Sequence, residues 1–171
     1  MNIVHEVLRA HSKAMRDRVV TYVGNSPHRF EELVNTFLKG PYRVTQRSAW
    51  PLSYCVEKHP NLIKPHLKRI IRNLESPGLH AAVKRNTIRL LQFIEIPKSS
   101  QGVVAGVCFK SLSDPKEPIA VRVFSMTVLA NIANQQPDIG RELKLIIEDQ
   151  LPYASAAFAS REKRVLSCLG V

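Results

Sequence analysis

A chain of 171 residues, 44% of them hydrophobic, is long enough to bury a core and too apolar to be disordered. No apolar run approaches the roughly 20 residues that span a bilayer, and the three widely spaced cysteines make neither a disulfide framework nor a metal cluster. The net charge of +11 points to an anionic partner, set against the plainer alternative of a solubilising surface.

Near-helical spacing of Ile3, Val4, Val7, Leu8, His11, Val19, Val20 and Val23 predicts one helix from Asn2, its cap, to Val23, stopped by Gly24-Asn25. Ser26-Pro27 is a capping hydroxyl followed by proline at the first helical position, and it opens a helix that ends at Gly40. A third helix follows from Tyr42 to about Lys58, with Pro51 inside it. Asn61 is expected to cap a helix that carries Leu62, Leu67, Ile70, Ile71 and Leu74, with Leu79 to Ile94 as its partner. Lys98 to Gly102 reads as a loop. Asp114-Pro115 starts a further helix, regular from Ile119 and apolar to Ile132. Asp138 to about Gln150 and Ala154 to Leu169 form the last pair, looser and more polar, as an end cap should be. No stretch alternates apolar and polar residues as a strand does, so the expected fold is all-α.

The pattern repeats. Ser76-Pro77 maps on Asp114-Pro115 and Val83-Lys84 on Val121-Arg122, each by 38 residues. Val44, Ala49, Leu52 and Cys55 map on Val83, Ile88, Leu91 and Ile94 by 39 residues. A constant shift across two helices and their turn is the mark of a solenoid. An early proline in the first helix (Pro65), a Ser-Pro or Asp-Pro turn and a second helix opening Val-Lys or Val-Arg resemble HEAT repeats. The resemblance implies an α-α superhelix of about four helical pairs, with residues 1–25 as an N-terminal capping helix and approximate repeats at 26–60, 61–97, 98–137 and 138–171, all in one domain spanning 1–171. It further implies an armadillo-like binding surface lined by the second helices.

On that surface the candidate partner-binding residues are Arg43, Arg47, Trp50, Tyr54, Lys84, Arg85, Arg89 and Arg122. Residues 61–100 hold eight Lys and Arg against two Asp and Glu, the densest basic segment of the chain. Lys84 and Arg122 occupy equivalent positions that in such repeats commonly tie neighbouring turns together, with Asp114 as a partner. Arg85 and Arg89 have no equivalent structural duty and are the better contact candidates. Arg47, Trp50 and Tyr54 share one helical face, as a recognition patch or as filling beside Pro51. Lys64, Lys68 and Arg72 share a face opposite an apolar stripe and read as solvated.

Catalytic patterns are absent. The sequence holds no HExxH, CxxC, GxSxG, P-loop or GxGxxG, and its six histidines are scattered. No cofactor and no metal are expected. Cys55, Cys108 and Cys168 read as buried free thiols. Together with an N-terminus that lacks the pattern of a secretory signal, they give the expectation of a cytoplasmic protein. The reading is a non-catalytic scaffold with an acidic protein surface as its partner. The alternative is nucleic-acid binding through the same basic groove, since some alkylpurine DNA glycosylases are built from HEAT-like repeats with a basic concave face. The aromatic-rich segment with a paired acid used by those enzymes has no counterpart here.

Overall fold

In the computed structural model, which describes residues 1–169, ten α-helices and two 3-10 segments account for the regular structure, with no strand among the described residues. The fold is all-α. Contacts gather the chain into two compact units, Met1–Ile94 and Glu95 onward. No helix is long and apolar enough to cross a membrane among the described residues.

Unit 1 departs from the sequence expectation at its start. The predicted helix over residues 2–23 is two helices, α1 (Ile3–Arg9) and α2 (Lys13–Val23). Asn2 does cap α1, accepting from the His5 N–H at 3.0 Å. The break falls at Ala10, which is extended, and Ser12 re-starts the helix by accepting from the Met15 N–H at 3.2 Å. The local cap outcompetes continuation because it satisfies a donor that a new helix end would otherwise leave open. Gly24 then ends α2 with φ 52°, a conformation glycine adopts without strain.

Ser26 caps α3 (Pro27–Lys39) as expected, accepting from the Arg29 N–H. Gly40 closes α3, and here the requirement is space. A Cβ at Gly40 would lie 2.6 Å from the Thr36 carbonyl oxygen and 2.7 Å from Val44 Cγ1. Gly40→Ala is therefore expected to destabilise the protein by about 2 kcal/mol, measured by urea unfolding.

Helix α4 (Tyr42–Lys58) is the hub of unit 1, packing on α1, α2, α3, α6 and the 3-10 segment Pro60–His66. Its Val44, Ala49, Leu52, Cys55 and Val56 are buried. The segment expected to be one helix from Asn61 to Leu74 is instead 3-10 over Pro60–His66 and α-helical only as α5 (Leu67–Leu74). Prolines at positions 60 and 65 withhold two backbone donors, so the regular ladder starts only beyond them. The apolar stripe survives the change: Leu62, Ile63, Leu67, Ile70, Ile71 and Leu74 are all buried. Helix α6 (Ala81–Leu91) is shorter at both ends than the expected 79–94, and the His80 ring caps it by accepting from the Ala82 N–H through Nδ1 at 3.0 Å.

Unit 2 contains α7 (Lys98–Ser113), α8 (Ile119–Ala133), α9 (Pro137–Gln150) and α10 (Ala156–Cys168). The expected loop at residues 98–102 is the first turn of α7. Its buried Gln101 accounts for this, donating to the Ile96 carbonyl at 2.9 Å and to the Gln135 side chain at 3.0 Å. Three helices, α7, α9 and α10, pack on α8, which is why α8 is apolar on nearly every side. Asp114 caps a turn, accepting from the Lys116 N–H, and α8 becomes regular at Ile119 once Pro118 is passed. Cys55 and Cys108 are buried, but Cys168, the last residue of α10, is exposed, contrary to expectation.

Candidate functional site

Side chains from α2, α4, α6 and the adjoining links form a stack of rings and guanidinium groups in unit 1. His11, in the link between α1 and α2, meets Trp50 of α4 with ring centroids 5.4 Å apart. Arg16 of α2 lies 5.1 Å from the Trp50 ring and 4.1 Å from the Tyr54 ring. Arg89 of α6 lies 4.3 Å from Tyr54 and 5.2 Å from Phe93. The order is therefore His11, Trp50, Arg16, Tyr54, Arg89, Phe93. Desolvated guanidinium groups over ring faces contribute about 1–2 kcal/mol each.

The two arginines inside the stack each use two of their three guanidinium nitrogens in hydrogen bonds. Arg16, buried, pairs with Asp17 at 2.6 Å. Arg89 donates to Ser53 Oγ at 3.1 Å and to the Glu57 carboxylate. The expectation that Arg89 lacks a structural duty is thus corrected: it ties α6 to α4 and stacks between two rings. Ser53 and Glu57 stand 36 and 32 positions before Arg89, and the packing of α6 on α4 brings them to its guanidinium.

Arg47 is also anchored, donating through Nη1 to the carbonyls of Val7 at 3.2 Å and Leu8 at 2.9 Å, and so closing the C-terminal end of α1. Arg43 and Arg85 are exposed and carry no hydrogen bond or ion pair among the described residues. Lys84 is half-buried in the first turn of α6. Trp50 and Tyr54 are half-buried, so the face shared by Arg47, Trp50 and Tyr54 is packed under α1, α2 and α6 while leaving an edge in solvent.

In unit 2, Arg122 has a tying role, but with other partners than Asp114. Its Nε donates to the Leu112 carbonyl at 3.3 Å and its Nη2 to Gln150 Oε1, with the guanidinium 5.0 Å from the Phe158 ring. It borders a surface cleft of about 520 Å³ with Tyr153 and Phe158. Arg161 reaches back to Thr127 Oγ1 at 2.6 Å, the same second-helix-to-second-helix reach that Arg89 makes in unit 1.

Sequence reasoning missed His11, Arg16 and Phe93. Two of them had a signal. Arg16 falls at helical spacing from Val19, Val20 and Val23, on the apolar face, where a charge must be stacked or paired. Phe93 is the equivalent of Tyr54 at the 39-residue shift.

Burial pushes the Cys55 thiol up to about 12, against the weaker opposing pull of Lys58, so it is not a nucleophile at neutral pH. Among the described residues no three His, Cys, Asp or Glu side chains gather as a metal site. Partial burial, and then the charges of Arg47 and Arg85, hold the His11 imidazole below its ordinary value.

Paired helices in repeated register, with side chains that tie one second helix to the next, define a helical-repeat protein. The model of the HEAT repeat domain family matches residues 4–169, and the chain belongs to that family. No curated protein and no solved structure matches it.

Proposed function

We propose that this protein is a non-catalytic, cytoplasmic interaction module that binds an acidic protein partner through the second helices of unit 1. The observation that carries the reading is the division of charge. Unit 1 holds sixteen Lys and Arg against six Asp and Glu, a balance of +10, and residues 95–171 hold nine against eight, a balance of +1. Long-range attraction of an anionic partner is therefore a property of unit 1 alone.

Nucleic-acid binding is the second reading, favoured by the exposed basic residues Lys64, Lys68 and Arg72 in addition to Arg43 and Arg85. The two readings separate on salt. The expected result is that purified protein fails to retain random duplex or single-stranded DNA or RNA at near-physiological salt, measured by fluorescence anisotropy. Tight binding that falls log-linearly with salt over several charges would replace the protein-partner reading with the nucleic-acid one.

A further inference from the structure

Charge along the stack of unit 1 is compensated unevenly. Arg16 faces Asp17 and Arg89 faces Glu57, so the middle and one end are close to neutral. At the other end His11, Arg47 and Arg85 come from three different elements, the α1–α2 link, α4 and α6. Arg85 stands one turn before Arg89 on α6, and the same register that seats Arg89 against Ser53 and Tyr54 brings Arg85 to the level of Trp50. The charges of both arginines reach His11.

No carboxylate of unit 1 is available to this end. Glu6 is paired with Arg18, Asp17 with Arg16 and Glu57 with Arg89. The remaining acids, Glu31, Glu32 and Glu75, lie on α3 and at the end of α5. Arg47 is held in place by the Val7 and Leu8 carbonyls through Nη1 only, which leaves Nε and Nη2 without a hydrogen bond. A guanidinium already immobilised gives up little rotamer entropy when it takes a ligand.

Building on the interaction-module reading, we infer that His11, Arg47 and Arg85, beside Trp50, form the seat for one carboxylate of an acidic protein segment. A discrete anion fits this arrangement better than a nucleic-acid backbone does. Duplex DNA presents a charge about every 1.7 Å of axis and is held by a stripe of uncompensated cations. Here the stripe is interrupted by Asp17 and Glu57, whose side chains are 53% and 38% exposed. Base stacking is not on offer either, because His11 and Arg16 occupy Trp50, and guanidinium groups from α2 and α6 occupy Tyr54.

Trp50 is the single tryptophan of the chain, so its emission reports on the seat directly. Titration of the full chain with poly-L-glutamate at low salt is expected to give a saturable change in that emission. Arg85→Ala, at an exposed position, is expected to weaken binding about tenfold, while Lys64→Ala on the 3-10 segment leaves it unchanged. A seated carboxylate favours the imidazolium form of His11, whose facing charges are Arg47, Arg85 and, across Trp50, Arg16 with its partner Asp17. Affinity is therefore expected to rise as pH falls from 7.5 to 5.5, and His11→Gln to weaken that dependence, the other five histidines of unit 1 being left in place. Poly-L-glutamate binding that Arg85→Ala leaves intact would overturn the seat and leave the interaction-module reading standing. Random duplex DNA moving Trp50 in an Arg85-dependent way, where poly-L-glutamate does not, would overturn the choice of partner. No binding of either polymer would overturn both the seat and the reading beneath it.

Discussion

Leu52→Ala is expected to lower the stability of the protein by about 3–4 kcal/mol, at the middle of the range for a leucine truncated in a well-packed core. Leu52 is completely buried at the centre of α4. Helices on several sides pack against α4, so no single neighbour can move in to fill the space without disturbing the others. Urea unfolding followed by Trp50 emission measures the loss, since Trp50 is two residues away on the same helix. A loss near 1 kcal/mol, the size expected for deleting one methyl group, would mean that α4 is not the hub of unit 1.

Arg89→Ala is expected to be the most damaging substitution of a charged residue, at about 2–3 kcal/mol. It removes a guanidinium from between Tyr54 and Phe93 and leaves Ser53 Oγ and Glu57 without their donor. Arg89→Lys is the discriminating companion. Lysine restores the positive charge opposite Glu57 but not the flat group between two rings, and a pair as exposed as this one contributes at most about 1 kcal/mol. Arg89→Lys should therefore recover less than half of the loss in the same unfolding experiment. Full recovery would assign the effect to the ion pair and reduce the stack to coincidence.

Much of the fold was legible because repeats write their register into sequence. The shift of 39 residues that maps Leu52 on Leu91, and of 38 that maps Leu91 on Leu129, placed three second helices, and all three leucines are buried. The same shifts relate Ser48, Thr87 and Ser125, three buried hydroxyl residues that the apolar pattern did not single out. Caps at Asn2 and Ser26 and the stops at Gly24 and Gly40 were readable for a similar reason: each depends on a few adjacent residues. Two of the misplaced boundaries fell where two local signals competed. Ser12 interrupts an apolar periodicity that would otherwise run on, and Pro60 and Pro65 bracket a segment whose buried positions are as regular as those of a helix.

The candidate site was legible only in part. Arg43, Arg47, Trp50, Tyr54, Lys84, Arg85, Arg89 and Arg122 could be chosen from the sequence as cations and aromatics on second helices. Whether each is engaged or open depends on what the neighbouring helix brings within about 3 Å of a guanidinium, and that distance is not a property of the residue. Arg89 and Arg85 differ by one turn on α6, yet one is locked between rings and the other is open to solvent.

By itself the sequence determined an all-helical chain in repeated pairs, with its positive charge in the first hundred residues, because helical periodicity, capping and formal charge are local or additive. Tertiary structure alone decided that α1 folds back so that its final carbonyls are closed by Arg47 and His11 meets Trp50. It likewise decided that Glu57 of α4 neutralises Arg89 of α6 while Arg85, one turn away, is left uncompensated. Compensation of charge and stacking of rings act over a few ångströms between residues more than thirty positions apart, and only packing sets which of them meet.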